Sequence, residues 1–281
     1  MTHWCDRCCH DATRVSRLTA AIIALPFAVS AQSRPTIGNG MKHAHASIET
    51  LSLTSTRAQV LVTLTVDPGW HVSWRNPGET GLPTRLSWSL PAGVRVLNET
   101  WPVPVIAHTS VGATHTLEGA VPWVIEFALD NASATDRLIN LTMKYGVCRD
   151  VCIPEQLSVQ GALAAGAAVP RVVVSPALRA RLAVDYGAIP ARRRSPTELC
   201  LDRVPLTATL PWPEVIADSG LALDAAMKLT PASARQHHGF IMNIPTGAVL
   251  RDGAKILVVR GNAGTAGVLD FHRAAPGCVQ R

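Results

Sequence analysis

The sequence has few aromatic residues and few long apolar runs, and both shortages limit the structural classes to which the protein can belong. Aromatic side chains make up 5% of the 281 residues, although seven of them are Trp. Beyond a short run near the N-terminus, no stretch stays apolar over the roughly 20 residues that a membrane span needs. The first half also lacks a helical repeat of apolar residues, which disfavours a helical bundle. Hydrophobic residues still amount to 47%, so we expect a globular protein with a sizeable core.

Basic residues and metal ligands are not grouped as nucleic-acid or metal binding requires. The formal net charge is +6, and outside Arg192–Arg194 the basic residues are scattered without interleaved aromatics. We interpret that triplet as a solvated segment and expect no nucleic-acid partner. The string Cys5–His10 resembles a zinc knuckle but has no second ligand cluster, and the pair His237 and His238 has no third ligand. The sequence therefore predicts no metal site, and it indicates no cofactor.

The N-terminus has the three parts of a secretory signal. Arg14 and Arg17 precede an apolar run at Leu18–Val29, and the small residues Ser30 and Ala31 follow it. The pattern predicts a signal peptide over residues 1–31 that is removed on export. The mature protein is then expected in an oxidising compartment, where disulfides persist.

Turn-forming residues are frequent and divide the chain into short strands. Gly and Pro number 20 each, and turn signals recur through the first half at the spacing of about 8–12 residues that is typical of an antiparallel β-sandwich. We predict a sandwich domain over residues 43–160. Small residues after Leu157 indicate a linker over 161–196, and residues 197–281 are expected to form a smaller β-rich region of unknown role.

Four cysteines remain after removal of the signal: Cys148, Cys152, Cys200 and Cys278. Four cysteines allow three connectivities in an oxidising compartment. The close spacing of Cys148 and Cys152 makes them the natural first pair. Cys200 and Cys278 are then available for a second, structural disulfide.

The spacing of Cys148 and Cys152 requires the backbone to reverse between them. In one straight strand their Cα atoms would lie about 13 Å apart, at roughly 3.3 Å per residue, whereas a disulfide needs about 4.4–6.8 Å. Pro154 and neighbouring β-branched residues disfavour a helix. A tight turn built on Arg149 and Asp150 at the tip of a hairpin satisfies the distance.

Charged residues around the pair are suited to influence thiol chemistry. The attacking species in thiol–disulfide exchange is the thiolate. Arg149 favours that form, whereas Asp150 and Glu155 oppose it or handle protons nearby. Most disulfides of exported proteins are structural, so spacing and compartment alone leave two alternatives open: a redox-active pair, or a staple that holds a hairpin.

Several blocks of the sequence, in order, resemble the N-terminal periplasmic domain of DsbD-type thiol:disulfide interchange proteins. The first block is Gly69–Thr84, and it is continued by Leu86–Gly93 and Trp101–Pro104. The last block, Cys148–Glu155, is similar to the family's active-site string C-x-x-x-C-I-P-E. The resemblance covers about residues 43–160.

The resemblance implies a fold, a chemistry and a set of partners. The fold is an all-β, immunoglobulin-like antiparallel sandwich, and Cys148 and Cys152 are the catalytic pair. By analogy Cys152 forms the mixed disulfide with a partner, and Cys148 resolves it. The family also carries an aromatic cap loop near the cysteines, for which this chain has His115, Leu117 and Glu118.

The partners implied are proteins of the bacterial envelope. A membrane electron transporter of the DsbD type, or its thioredoxin-like domain, supplies electrons in the periplasm. A periplasmic disulfide isomerase or a cytochrome c maturation thioredoxin receives them. We therefore expect a component of a protein-disulfide reductase system. The alternative is a non-catalytic binding or assembly module of the envelope with a structural Cys148–Cys152 disulfide.

Overall fold

The computed structural model describes residues 35–36, 42–110, 112–130, 137–163, 174–204, 214–217, 227–233, 236–246, 250–261 and 263–278. The expected signal peptide, residues 1–31, lies outside the described residues. Regular structure in the described part of the chain is almost entirely β. Within those residues, no helix is both long enough and apolar enough to span a bilayer.

The N-terminal part forms the strands of a sandwich. In chain order they are β1 (Pro35–Thr36), β2 (Ala44–Leu53), β3 (Arg57–Val66), β4 (His71–Gly78), β5 (Arg85–Ser89), β6 (Val94–Thr100), β7 (Val105–Thr109), β8 (Gly112–Leu117), β9 (Ala120–Leu129), β10 (Arg137–Cys148) and β11 (Cys152–Leu163). One sheet has the order β2-β3-β9-β6. The other has the order β1-β11-β10-β4-β8-β7, with β5 also paired to β10.

The sandwich core follows from the alternation of apolar and polar residues along these strands. Every pairing in both sheets is antiparallel. Inward-facing side chains of β3 and β10 are fully buried and belong to one cluster, for example Val60, Val62, Leu64, Ile139, Leu141 and Met143. The predicted immunoglobulin-like antiparallel sandwich is thus confirmed.

The scarce aromatic residues are concentrated in this core. Trp101 makes edge contacts with Trp74 and Trp123, at ring-centroid distances of 6.1 and 5.7 Å. Trp74 lies 1% exposed and donates a hydrogen bond from Nε1 to the carbonyl of Pro102 at 2.9 Å. Buried indole N–H groups need such acceptors, so this bond fixes the segment that follows β6.

The C-terminal part forms a closed barrel. Its elements are the short helix α1 (Pro176–Arg179), which precedes the barrel, and the strands β12 (Val184–Ser195), β13 (Glu198–Asp202), β14 (Glu214–Ala217), β15 (Met227–Ser233), β16 (Gln236–Asn243), β17 (Lys255–Arg260) and β18 (Ala263–Asp270). The strand order is β12-β13-β16-β15-β14-β17-β18, closed by the parallel pairing of β12 with β18. A single-turn 3-10 helix at Pro276–Cys278 follows.

The barrel begins earlier than the sequence suggested. Residues 161–196 were expected to be a linker, but β11 continues to Leu163 and β12 starts at Val184. The side chain of Ile189 in β12 is fully buried in the barrel core. In β12, Ile189, Pro190 and Ala191 are buried, whereas Arg192 and Arg193 face solvent.

The sandwich and the barrel share part of their apolar core. Trp101 and Val103 pack in the same cluster as three barrel residues, Ile216, Leu257 and Val259. Asn76 of β4 donates a hydrogen bond from Nδ2 to the carbonyl of Ala217 at 2.8 Å. The backbone N–H of Val103 donates to the carbonyl of Arg181 at 2.7 Å. These contacts hold the barrel against the segment after β6.

Candidate functional site

The hairpin of β10 and β11 brings Cys148 and Cys152 together. β10 ends at Cys148 and β11 begins at Cys152, and the two residues are register partners. Their Cα atoms are 4.1 Å apart and their sulfurs are bonded at 2.05 Å. That Cα separation is close to the roughly 4.5 Å of a non-hydrogen-bonded antiparallel pair. Residues 149–151 form the turn, so the disulfide closes the tip of the hairpin.

The two cysteine residues differ in exposure to solvent. Cys148 is 3% exposed, whereas Cys152 is exposed. The apolar neighbours of Cys152 also face solvent, with Val151 68% and Ile153 39% exposed. Cys152 is therefore the more accessible residue of the pair.

The turn carries two opposite charges and is held by aromatic contacts. Arg149 Nε lies 3.2 Å from Asp150 Oδ2, but both side chains are more than half exposed, so the pair adds little stability. The Arg149 guanidinium lies 4.8 Å from the centroid of the Trp70 ring. Trp70 in turn stacks on His43 at 3.7 Å. His43 precedes β2, so this stack links the turn to the opposite sheet.

Glu155 lies on the other side of the hairpin from the cysteines. It is the register partner of Tyr145, whose hydroxyl donates to Glu155 Oε2 at 3.0 Å. The backbone N–H of His43 donates to Oε1 at 3.4 Å. Burial, together with the charge and hydrogen bond of Glu155, raises the pKa of Tyr145 well above its usual value. Glu155 is three residues from Cys152, so its side chain points to the opposite face, and its carboxylate is already bound by these donors.

His71 is the cross-strand neighbour of Cys148. The two are register partners between β4 and β10, and such partners have Cβ atoms about 4.5–5.5 Å apart on the same face. His71 is half-buried. The proximity of His71 and Trp70 to the cysteine hairpin could not be predicted from the sequence, because both contacts are long-range.

The residues expected in a cap loop lie in β8 and directly after it. His115 and Leu117 belong to β8, and Leu117 is paired with Val72 and buried in the sandwich core. His115 is fully buried and donates from Nδ1 to the carbonyl of Asn76 at 2.8 Å. Glu118 follows the strand and is exposed. Because the partners Leu117, Val72 and Val147 all face the core, Cys148 faces the opposite side of this sheet.

The loop after β4 lies on the face that carries Cys148. A Cβ atom at Gly146 would lie 2.6 Å from the Cβ of Leu82, so the Leu82 side chain lies directly on Gly146. Gly146 and Cys148 point to the same face, two residues apart. Gly81 has φ +114°, and a Cβ there would lie 2.6 Å from Ser73 Oγ. The segment at Gly81 and Leu82 therefore packs on the face of β10 that carries Cys148.

The second disulfide joins Cys200 and Cys278. Their Cα atoms are 5.7 Å apart, and the residues are 0% and 4% exposed. The bond fastens the C-terminal 3-10 helix to β13 and β16. Both sulfurs are closed to a protein partner in the folded state. Among the described residues there is no group of three His, Cys, Asp or Glu side chains suited to a metal ion.

An exposed cysteine bonded to a buried one at the tip of a hairpin is the arrangement expected of a thiol–disulfide interchange domain built on a β-sandwich. Residues 43–163 match the family described as thiol:disulfide interchange protein DsbD, N-terminal. Over these residues the chain is similar in sequence to the N-terminal domain of that family.

The solved structure of the N-terminal periplasmic domain of ScsB from Proteus mirabilis is similar over most of the chain. The match has a TM-score of 0.60 and 19% identity, and it covers 87% of this chain and 99% of that one. It shows that the fold extends beyond residue 163. The GAE domain of GGA2p from Saccharomyces cerevisiae aligns at a TM-score of 0.30 and 11% identity over 46% of this chain and 97% of that one, which is too weak to support an argument. No curated protein matches the sequence.

Proposed function

We propose that the protein relays reducing equivalents through Cys148 and Cys152, from a membrane electron transporter to disulfide-containing proteins of the envelope. The observation that carries this proposal is the asymmetry of the pair: Cys152 is exposed and Cys148 is 3% exposed. A relay needs one sulfur that partners reach and one that they do not. The family of residues 43–163 supports the same chemistry.

Reduction of the cysteine pair by the donor and its oxidation by the acceptor each proceed in two steps. A donor thiolate attacks Sγ of Cys152, a new S–S bond forms, and the Cys148–Cys152 bond breaks with Cys148 leaving as thiolate. The donor's second thiolate attacks the donor sulfur of this mixed disulfide, so the donor is oxidised and Cys152 is released. Two electrons have entered the pair, and the two thiolates take up two protons.

When the reduced pair transfers its electrons to an acceptor, Cys152 becomes the attacking thiolate. The thiolate of Cys152 attacks an acceptor disulfide and forms the mixed disulfide, and one acceptor sulfur leaves as thiolate. Cys148 then attacks Sγ of Cys152, restores the intramolecular disulfide and releases the reduced acceptor. Arg149 favours the thiolate of the neighbouring cysteines by its charge, and Asp150 has the opposite effect.

The proposed compartment is the periplasm, with residues 1–31 as a cleaved signal peptide. The donor would be a transporter of the DsbD type or its thioredoxin-like domain. The acceptor would be a disulfide isomerase or a thioredoxin of cytochrome c maturation. The periplasmic origin of the similar ScsB domain supports this placement.

The test is a trapping experiment with a measured potential. Cys148→Ser leaves Cys152 exposed without its resolving partner, so it should accumulate mixed disulfides with a thioredoxin-like protein. The matched variant Cys152→Ser leaves only the buried Cys148 and should trap little. We expect the Cys148–Cys152 potential in glutathione or thioredoxin buffers to lie above about −300 mV, the region of structural disulfides.

The rival function is a binding or assembly module in which the same disulfide only staples the hairpin. A potential well below about −300 mV together with no trapped species in Cys148→Ser would establish the staple and reject the relay.

A further inference from the structure

The barrel carries an open cleft whose walls are rich in arginine. Its volume is about 510 Å³, and its polar lining includes Arg192, Arg203 and Arg273. Phe271 and a run of small residues, Ala274, Ala275 and Pro276, complete one side. No Asp or Glu is among the lining residues. The cleft lies in the barrel, on elements separate from the hairpin of Cys148 and Cys152.

The three guanidinium groups come from separate segments that the fold brings together. Arg192 lies on β12 opposite Cys200 of β13, Arg203 follows β13, and Arg273 lies between β18 and the C-terminal 3-10 helix. Within the described part of the chain, none of the three forms an ion pair with a carboxylate. Like charges that line one cleft repel one another, so an anion between them would be favoured.

The neighbouring carboxylates accept hydrogen bonds from backbone N–H groups. Asp270 Oδ1 accepts from the backbone N–H of His272 and of Arg273, at 2.9 and 3.0 Å. Asp252 Oδ1 accepts from the N–H of Phe271 at 2.9 Å. Asp202 Oδ2 accepts from the N–H of Gly277 at 3.2 Å, and its side chain is buried. These bonds shape the C-terminal wall of the cleft, and within the described residues none of the three carboxylates forms an ion pair with a cleft arginine.

A disulfide and an unusual backbone conformation shape the walls. The Cys200–Cys278 disulfide fastens the C-terminal segment to β13. Arg203 has φ +53°, and it is the one non-glycine residue with positive φ among those described. Such a conformation is uncommon for a residue with a Cβ and is concentrated at functional sites. A preformed wall reduces the entropy lost when a ligand binds.

We infer that this cleft binds a multiply charged oxyanion, held by Arg192, Arg203 and Arg273. Guanidinium groups bind the paired oxygens of carboxylates and phosphates in a bidentate manner. Carboxylate and phosphate ligands share that chemistry, and the apolar wall at Phe271 would face the uncharged part of such a ligand. Nothing in this inference depends on the redox role of the sandwich.

Calorimetric titration of the purified protein with sodium pyrophosphate and, separately, with sodium citrate tests the inference. Ionic strength is kept low and constant with NaCl. We expect saturable binding at one site, and the anion that binds more tightly identifies phosphate or carboxylate as the preferred chemistry. Arg192→Gln and Arg273→Gln should each weaken binding about tenfold, as expected for the loss of a charge-assisted contact.

Two further variants separate binding from folding and from net charge. Arg203→Gly removes a guanidinium but suits the positive φ, so it should weaken binding without lowering the melting temperature. Arg95→Gln changes an exposed arginine of the sandwich and should leave binding unchanged. The inference is overturned if neither anion binds saturably, or if Arg95→Gln weakens binding as much as the cleft variants do.

Discussion

At the scale of single residues, the two charges of the hairpin turn should act on the cysteines in opposite directions. Arg149 and Asp150 adjoin the pair and are both more than half exposed. Solvent and salt screen such charges, so each effect is expected to be small. In the reduced protein, Arg149→Gln should lower the iodoacetamide alkylation rate of Cys152 at pH 7 about two- to threefold, and Asp150→Asn should raise it similarly.

The control for this pair of variants is Arg95→Gln, which changes an exposed arginine on β6 and should leave the rate unchanged. Added salt should reduce both effects, because they are electrostatic. Equal rates in all the variants at low salt would show that the turn charges do not tune the thiol.

A second residue-scale prediction concerns Tyr145 and pH. Because the pKa of Tyr145 is raised in the folded protein, the folded state keeps a proton that the unfolded chain loses above about pH 10. The stabilisation is therefore complete below that pH and is lost as pH rises, at up to about 1.4 kcal/mol per pH unit. Tyr145→Phe should cost about 1 kcal/mol at pH 8, and the difference from the parent should shrink between pH 10 and 11.

Urea unfolding at each pH measures this difference. Tyr186→Phe changes the chain's other tyrosine, which is 42% exposed, and should cost less than about 0.5 kcal/mol at pH 8. A parent-minus-Tyr145→Phe difference that stays constant up to pH 11 would contradict the role of the buried hydroxyl.

Residue-scale features could be predicted only where the chemistry is local. The distance argument placed a turn at Arg149 and Asp150, and the structure has that turn. The Tyr145–Glu155 pair needs the register of the hairpin, and the contact of His43 with Glu155 spans 112 positions. No local pattern encodes such contacts, since they exist only when the two sheets are packed.

At the scale of elements, the loop after β4 and the end of β10 should behave as one unit. Leu82 lies on Gly146, and a Cβ at residue 146 would come within 2.6 Å of the Leu82 Cβ. Because that atom is close to the loop backbone, the loop must move to accept an added methyl. Gly146→Ala should destabilise the protein by about 1–3 kcal/mol, as expected for overpacking.

A double-mutant cycle checks this contact. Leu82→Ala removes most of the obstructing side chain, so the double variant should be more stable than the sum of the single effects predicts, by about 1 kcal/mol or more. Gly119→Ala serves as the matched comparison, because a Cβ there meets nothing within 4 Å, although its φ of +62° adds local strain. Additive effects of Gly146→Ala and Leu82→Ala would show that the loop does not rest on β10.

Strands with clear alternation could be predicted, whereas small residues were misleading. Apolar and polar residues alternate along β2 and β3, and both strands lie in the predicted sandwich. Gly161 was taken as part of a linker, but it lies in β11, where a Cβ would come within 2.7 Å of Ile48 Cγ2. The small residue allows the facing sheet to approach. Likewise His115 and Leu117 were expected in a loop but lie in β8. The threonines beside them hid the alternation that is typical of a strand.

At the scale of the whole molecule, the sandwich and the barrel are joined by apolar packing as well as by the chain. Val103, after β6, packs closely on Gly264 of β18, where a Cβ would lie 2.7 Å from Val103 Cγ2. The sequence predicted two β-rich parts but not this shared core, because the residues involved are separated by more than 100 positions. Disturbance of the barrel should therefore lower the stability of the sandwich as well.

The two disulfides should differ in what they contribute to the whole fold. Cys148–Cys152 closes a separation of 4 residues and Cys200–Cys278 one of 78. In the chain-entropy model a short loop contributes about 2 kcal/mol and a long one about 4–5 kcal/mol, by restricting the unfolded chain. The double variant Cys200→Ala/Cys278→Ala should thus lose roughly twice as much free energy of unfolding as Cys148→Ala/Cys152→Ala.

Urea unfolding followed by Trp fluorescence measures both losses, and graded reduction gives an independent reading. Cys152 is exposed, while Cys200 and Cys278 are 0% and 4% exposed. Mild reductant should therefore open the hairpin disulfide in the folded protein, and the barrel disulfide should open only with unfolding. If the barrel disulfide were reduced first, its burial would not protect it. If the hairpin variant were the less stable one, the short disulfide would hold the fold together, and a redox relay built on its repeated opening would be untenable.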